Sequence, residues 1–100
     1  RVVFCHLRPG TVEEFIARAR EKLGDYADVR RSAELLAEGW FGPGRAHPDL
    51  ARRVGDVTLV MKRHATLKDH IEGEKHHVMI GNHGGVTEDE MLVPLVFARL

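Results

Sequence analysis

Residues 2–7, Val-Val-Phe-Cys-His-Leu, form an almost unbroken apolar run that halts at Pro9-Gly10 and gives way at once to apolar residues at helical spacing. A strand that hands over to a helix across one Pro-Gly turn commits the chain to a sheet with helices laid on it, because each element carries an apolar face that the other must cover. The run does not alternate, so it predicts a strand buried on both faces. Thr11 and Glu14 have the spacing of a capping box, and Val12, Phe15, Ile16, Ala19 and Leu23 fall on one helical face before Gly24 offers a left-handed stop.

The rest of the chain continues in the same style. A short strand is expected at residues 27–30, then a second helix with Ser32 as N-cap, Leu35 and Leu36 as anchors and Gly39 as terminator. Trp40-Phe41-Gly42-Pro43-Gly44 predicts a turn anchored by aromatics, and Pro48 opens one helical turn that ends at Gly55. Over residues 56–61 the alternation of Val57, Leu59 and Met61 with Thr58 and Val60 predicts a strand with at least one buried face. Residues 62–77 lose periodicity and gather charge, as a flexible loop does. Residues 78–80 predict a short strand, Thr87 and Glu90 repeat the capping-box spacing, and residues 91–98 predict a last strand held to a sheet edge by Pro94. The fold class is therefore α/β (α+β): a small mixed sheet with two or three helices on it.

One hundred residues, 43% hydrophobic and 30% charged, make one domain, since a chain this short cannot divide into two cores. Fifteen Lys+Arg balance fifteen Asp+Glu, so the basic footprint of a nucleic-acid binder is missing. No stretch reaches the roughly 18 consecutive apolar residues that would cross a bilayer. Cys5 is the single cysteine; it asks for no oxidising compartment, and the expected setting is cytoplasmic. With neither an initiator Met nor a secretory leader, the chain reads as a piece of a longer one. A homo-oligomer is left open.

Chemistry concentrates near the end. Gly81-Asn82-His83-Gly84-Gly85 directly follows the apolar residues 78–80, and the glycines let a metal or phosphoryl group approach the imidazole and nearby amides. The plain alternative is a histidine hydrogen-bonded to backbone in a glycine-rich turn. His70, Glu72, Glu74, His76 and His77 invite a metal reading, but their spacing matches no standard zinc pattern and a solvated loop explains the same letters. No nucleophile stands out: Ser32 and Thr87 read as helix caps, Cys5 and His6 as strand residues, and Trp40 and Phe41 as anchors.

Gly81-Asn82-His83-Gly84-Gly85-Val86-Thr87-Glu88-Asp89-Glu90-Met91-Leu92-Val93-Pro94-Leu95 resembles the closing motif of the alkaline phosphatase superfamily, nearest to its type I phosphodiesterase/nucleotide pyrophosphatase branch. Residues 39–44, His47-Pro48-Asp49-Leu50 and Arg53-Val54-Gly55-Asp56 are similar to the segment before that motif in several bacterial members. The resemblance covers more than half of the chain. It implies a site of two metal ions, usually zinc with manganese as the alternative, to which His83 contributes one ligand. It implies a metal-activated Thr or Ser attacking the phosphorus of a small phosphate ester. That nucleophile and the other ligands, including an Asp-His-Gly motif, lie in the family on earlier strands. Asp69-His70 is not that motif, because Ile71 follows it.

The resemblance divides the chain into a ferredoxin-like cap at residues 1–62 that selects substrate, a His-rich loop at 63–77, and residues 78–100 returning as terminal strands to an alkaline-phosphatase-like core. The fragment by itself is expected to be inactive. The alternative from another class is a non-catalytic ferredoxin-like binding or oligomerisation module. A third reading gathers His70, His76, His77 and His83 into a local metal site.

Overall fold

A computed structural model of the chain describes residues 1–75, 79–82 and 84–99. Strands β1 (Val2–Cys5), β2 (Ala27–Arg31) and β3 (Val57–Met61) carry helices α1 (Val12–Leu23), α2 (Ser32–Ala37) and α3 (Leu50–Val54), and a short α4 (Glu88–Met91) comes last. The sheet order is β1-β3-β2, with both pairings antiparallel. The result is a small α+β fold. The sheet expected to be mixed is antiparallel throughout, because β3 inserts between the two strands that α1 connects and runs against both. That is the split β-α-β arrangement of a ferredoxin-like opening.

Each face of β3 is covered by a different set of helices, and all five of its residues are buried. On one face Val57, Leu59 and Met61, with Ala27 and Val29 beside them, meet Ile16 and Ala19 of α1. Leu59 lies between Val3 and Val29 at the centre of the sheet. On the other face Thr58 is fully buried, and Ser32, Leu35 and Val54 from α2 and α3 are buried too. Phe41 reaches back to this side and stacks tilted on Phe4 at 6.1 Å.

Two helix starts differ from expectation. Ser32 is the first residue of α2, with Arg31 in the capping position. Its hydroxyl instead donates to the Val54 carbonyl (3.0 Å) and shares a 2.8 Å hydrogen bond with Thr58 Oγ1. A buried hydroxyl pair of this kind is costly to break singly. Ser32→Ala is expected to cost about 1–3 kcal/mol by stranding its two partners, and Ser32→Ala with Thr58→Val less than the sum of the two singles. Urea unfolding of the single and double variants measures this. At α1, Thr11 makes no side-chain cap; its φ of −102° and ψ of 0° turn its hydroxyl back to the Arg8 carbonyl. The helix ends at Leu23 as expected, but Gly24 caps it in a right-handed conformation (φ −57°), its amide donating to the Arg20 carbonyl, rather than by a left-handed stop.

β1 is an edge strand with Phe4 half exposed, not a strand buried on both faces. Two further expected strands are not formed among the described residues. Met79 and Ile80 pair with nothing in the sheet, and Val78 lies outside the described residues. Residues 92–99 are likewise without strand, and Leu92, Val93, Leu95, Val96 and Phe97 are 73–91% exposed. A strand exists only where a partner accepts its ladder, and here the segment runs away from the sheet. The radius of gyration of 16.6 Å, against roughly 13 Å for a compact chain of this length, reflects that extension.

Candidate functional site

The residues around the Gly81–Gly85 motif are tied to the sheet through the first residue of the chain. Arg1 accepts the Met61 amide on its own carbonyl (2.9 Å), which places it on the sheet ladder beside β1. Its side chain is only 6% exposed. The guanidinium donates to the carbonyls of Ala65 (2.5 Å) and Arg63, clasping the turn that leaves β3. Arg63 sits there at φ +48°, a left-handed backbone that a non-glycine residue adopts at some cost. The same guanidinium grips Glu90: Nε lies 2.5 Å from Oε1 as an ion pair, and Nη2 donates to Oε2 at 3.1 Å.

Glu90 is the capping-box residue of α4, as its spacing from Thr87 predicts. Thr87 donates to its carboxylate from the hydroxyl (2.7 Å) and from the backbone amide (3.3 Å). The carboxylate also covers Gly85, which is buried although Gly84 and Val86 are exposed. A Cβ on Gly85 would fall well inside van der Waals contact with both Glu90 carboxylate oxygens. Glycine is favoured here by close approach and not by an unusual φ, for as long as Arg1 and Thr87 keep the Glu90 carboxylate in place.

The Arg1 guanidinium first, and the Thr87 hydroxyl after it, hold the Glu90 carboxyl down to about 2. A carboxyl depressed in the folded state contributes stability that is present above its ordinary value near 4.5 and is lost as pH falls through about 2. The tie is therefore intact across the physiological range. Beside it opens a cleft of about 630 Å³, lined among others by Arg63, His64, Glu88 and Asp89. Charges of both signs face it, so the cleft has no single-sign field to draw in an anion.

The residue singled out from the sequence as a metal ligand, His83, lies outside the described residues, as do His76 and His77. His70, Glu72 and Glu74 are exposed, and the His70 amide donates to Asp69 Oδ1 at 2.9 Å. Zinc calls for about four converging donors. Among the described residues no three His, Cys, Asp or Glu gather to hold an ion, so these residues do not by themselves make up a zinc site. Burial pushes the Cys5 thiol up, in keeping with a strand residue rather than a nucleophile. Trp40 donates from Nε1 to Glu38 (3.0 Å), anchoring the turn after α2.

Sequence reasoning missed Arg1. An arginine ahead of an apolar run looks like any solvated charge, and its partner stands 89 residues away. Glu90 was legible as a cap, but not as a carboxylate shared with an arginine. Among the described residues no helix is long and apolar enough to cross a membrane. Compared with family models, curated proteins and solved structures, the chain matches none of them.

Proposed function

We propose that the chain is the C-terminal part of a cytoplasmic, metal-dependent phosphoesterase of the phosphodiesterase/nucleotide pyrophosphatase kind. In this reading His83 is a zinc or manganese ligand and residues 1–62 form a cap over a small phosphate-ester substrate. The supporting observation is the arm after β3. Its apolar side chains Ile80, Leu92, Val93, Leu95, Val96 and Phe97 stand in solvent, although the resembling motif, residues 81–95, includes three of them and is flanked by the rest. Apolar residues in such density belong in a core, and the three-stranded sheet, with its helices, already has its own. An arm that enters a second core, carrying one ligand to its edge, accounts for both the exposure and the motif.

The division of labour follows from charge. Phosphoryl transfer needs concentrated positive charge at the non-bridging oxygens, and a neutral chain with a mixed-sign cleft would obtain it from bound metal. The chain's own share is to orient one imidazole and to shape the space above it. His83→Ala in the full-length enzyme is expected to lower metal content and hydrolysis of bis(4-nitrophenyl) phosphate while leaving the far-UV CD spectrum intact. Unchanged metal content and turnover would remove His83 from the site.

The reading as a binding or oligomerisation module draws on a different observation, the partly exposed aromatic pair of Phe4, on the edge strand β1, and Phe41. The same His83 variant separates the two, since a module without chemistry would be indifferent to it.

A further inference from the structure

We infer that Arg1 is the positioning residue of the segment 84–90: its buried guanidinium locks the Glu90 carboxylate over Gly85 and so holds the backbone of that segment against the sheet. The inference rests on the phosphoesterase reading for its purpose, but its physical content stands on the latch alone.

A chain of contacts runs from the sheet to the buried Gly85. The rigid end is the sheet, which Arg1 joins through the Met61 amide. A guanidinium as buried as that of Arg1 must be paired, because an unpartnered charge taken out of water is expensive. It is paired on two sides at once, by the carbonyls of the turn at Arg63 and Ala65 and by Glu90. Arginine suits this role where lysine would not, since its planar fork can serve both sides in one fixed orientation. Glu90 is in turn fixed by Thr87 from below, leaving the carboxylate no freedom to swing.

The far end is Gly85. Its backbone is pressed under that carboxylate with no room for a methyl group, so the loop height is set by where Arg1 holds Glu90. His83, which lies outside the described residues, stands two positions before Gly85 in the sequence. A ligand delivered to a metal needs that kind of pinning, because an error of about 1 Å in a first-rank group is enough to spoil a site. The latch also joins residue 1 to residue 90, so Arg1 ties the small sheet to α4.

Amide hydrogen exchange of the full chain, read by NMR at neutral pH without metal, tests this. Arg1→Met is expected to speed exchange of residues 84–91 by about tenfold or more while amides of 57–61 stay within about twofold. Arg1→Lys should restore part of the protection, supplying the charge without the fork. Glu90→Gln keeps Thr87 as a partner but loses the ion pair, and should fall between wild type and Arg1→Met. It carries the test if Arg1→Met fails to fold. Unchanged exchange of 84–91 in both variants would overturn the latch. So would a parallel rise in 57–61, which would make Arg1 a residue of general stability. Metal plays no part in this measurement, so failure of the latch appears here and failure of the phosphoesterase reading appears in the His83 experiment.

Discussion

Leu59→Ala is expected to cost about 2–5 kcal/mol, the range for emptying a leucine site in a well-packed interior. Leu59 is 2% exposed and lies at the middle of the central strand, with Val3 on one side and Val29 on the other. It shares one cluster with Ile16 and Ala19 of α1, so truncation opens a void between sheet and helix. The neighbours that would have to collapse into that void are held in two antiparallel ladders, and relaxation is therefore limited. Small domains have about 5–15 kcal/mol in total, and each kcal/mol moves the midpoint of a domain this size by about 4–8 °C. Thermal unfolding followed by CD should show a fall of at least about 8 °C. A fall of less than about 4 °C would mean that this face is not the principal core.

Gly55→Ala is expected to be nearly as damaging for a wholly different reason. Gly55 has φ +66° and ψ −159°, a region that side chains with a Cβ hardly enter. A Cβ there would also lie 2.6 Å from the Cys5 carbonyl oxygen. The carbonyl cannot yield, because it accepts the Asp56 amide at 2.9 Å and Cys5 pairs with Val57 across the β1–β3 ladder. Backbone strain of about 1–3 kcal/mol is thus joined by a clash that only a shift of β1 relieves, for a total of about 3 kcal/mol or more. Gly44→Ala is the control. Gly44 has φ +93° but nothing within 4 Å of its Cβ position, so about 1 kcal/mol is expected from strain alone. Equal losses in the two variants, measured by urea unfolding, would show that the contact with Cys5 contributes nothing.

The two capping boxes show how far local pattern reaches. Thr87-x-x-Glu90 and Thr11-x-x-Glu14 are equally good as spacings, yet only the former is formed. What separates them is backbone geometry: Thr87 has the extended φ −72° and ψ 160° that aims its hydroxyl into the helix, whereas Thr11 is held in the turn made by Arg8 and Pro9. Serine at position 32 makes the same point from the other direction. It was readable as a cap, and it became half of a buried hydroxyl pair because α2 begins directly at the end of β2. The candidate site was legible as a motif only. Its Gly-rich letters mark where chemistry could sit, but the latch that holds them joins residues too far apart for any spacing rule to see.

Periodicity alone determined that α1 and β3 exist and which face of α1 is buried, because those patterns are set by the 3.6 and 2.0 residue repeats of the backbone itself; that both faces of β3 are buried was settled by the helices packed on each side. The same local rules carried the termination of α2 at Gly39, whose φ of +79° is a conformation glycine enters without penalty. Only the tertiary structure decided that β3 would lie between β1 and β2, that β1 would become an edge, and that residues 92–99 would stay out of the sheet. It also decided that Arg1 would close on Glu90. These outcomes depend on which distant groups compete for one another's hydrogen bonds and apolar surface, and that competition is resolved only when the whole chain is assembled.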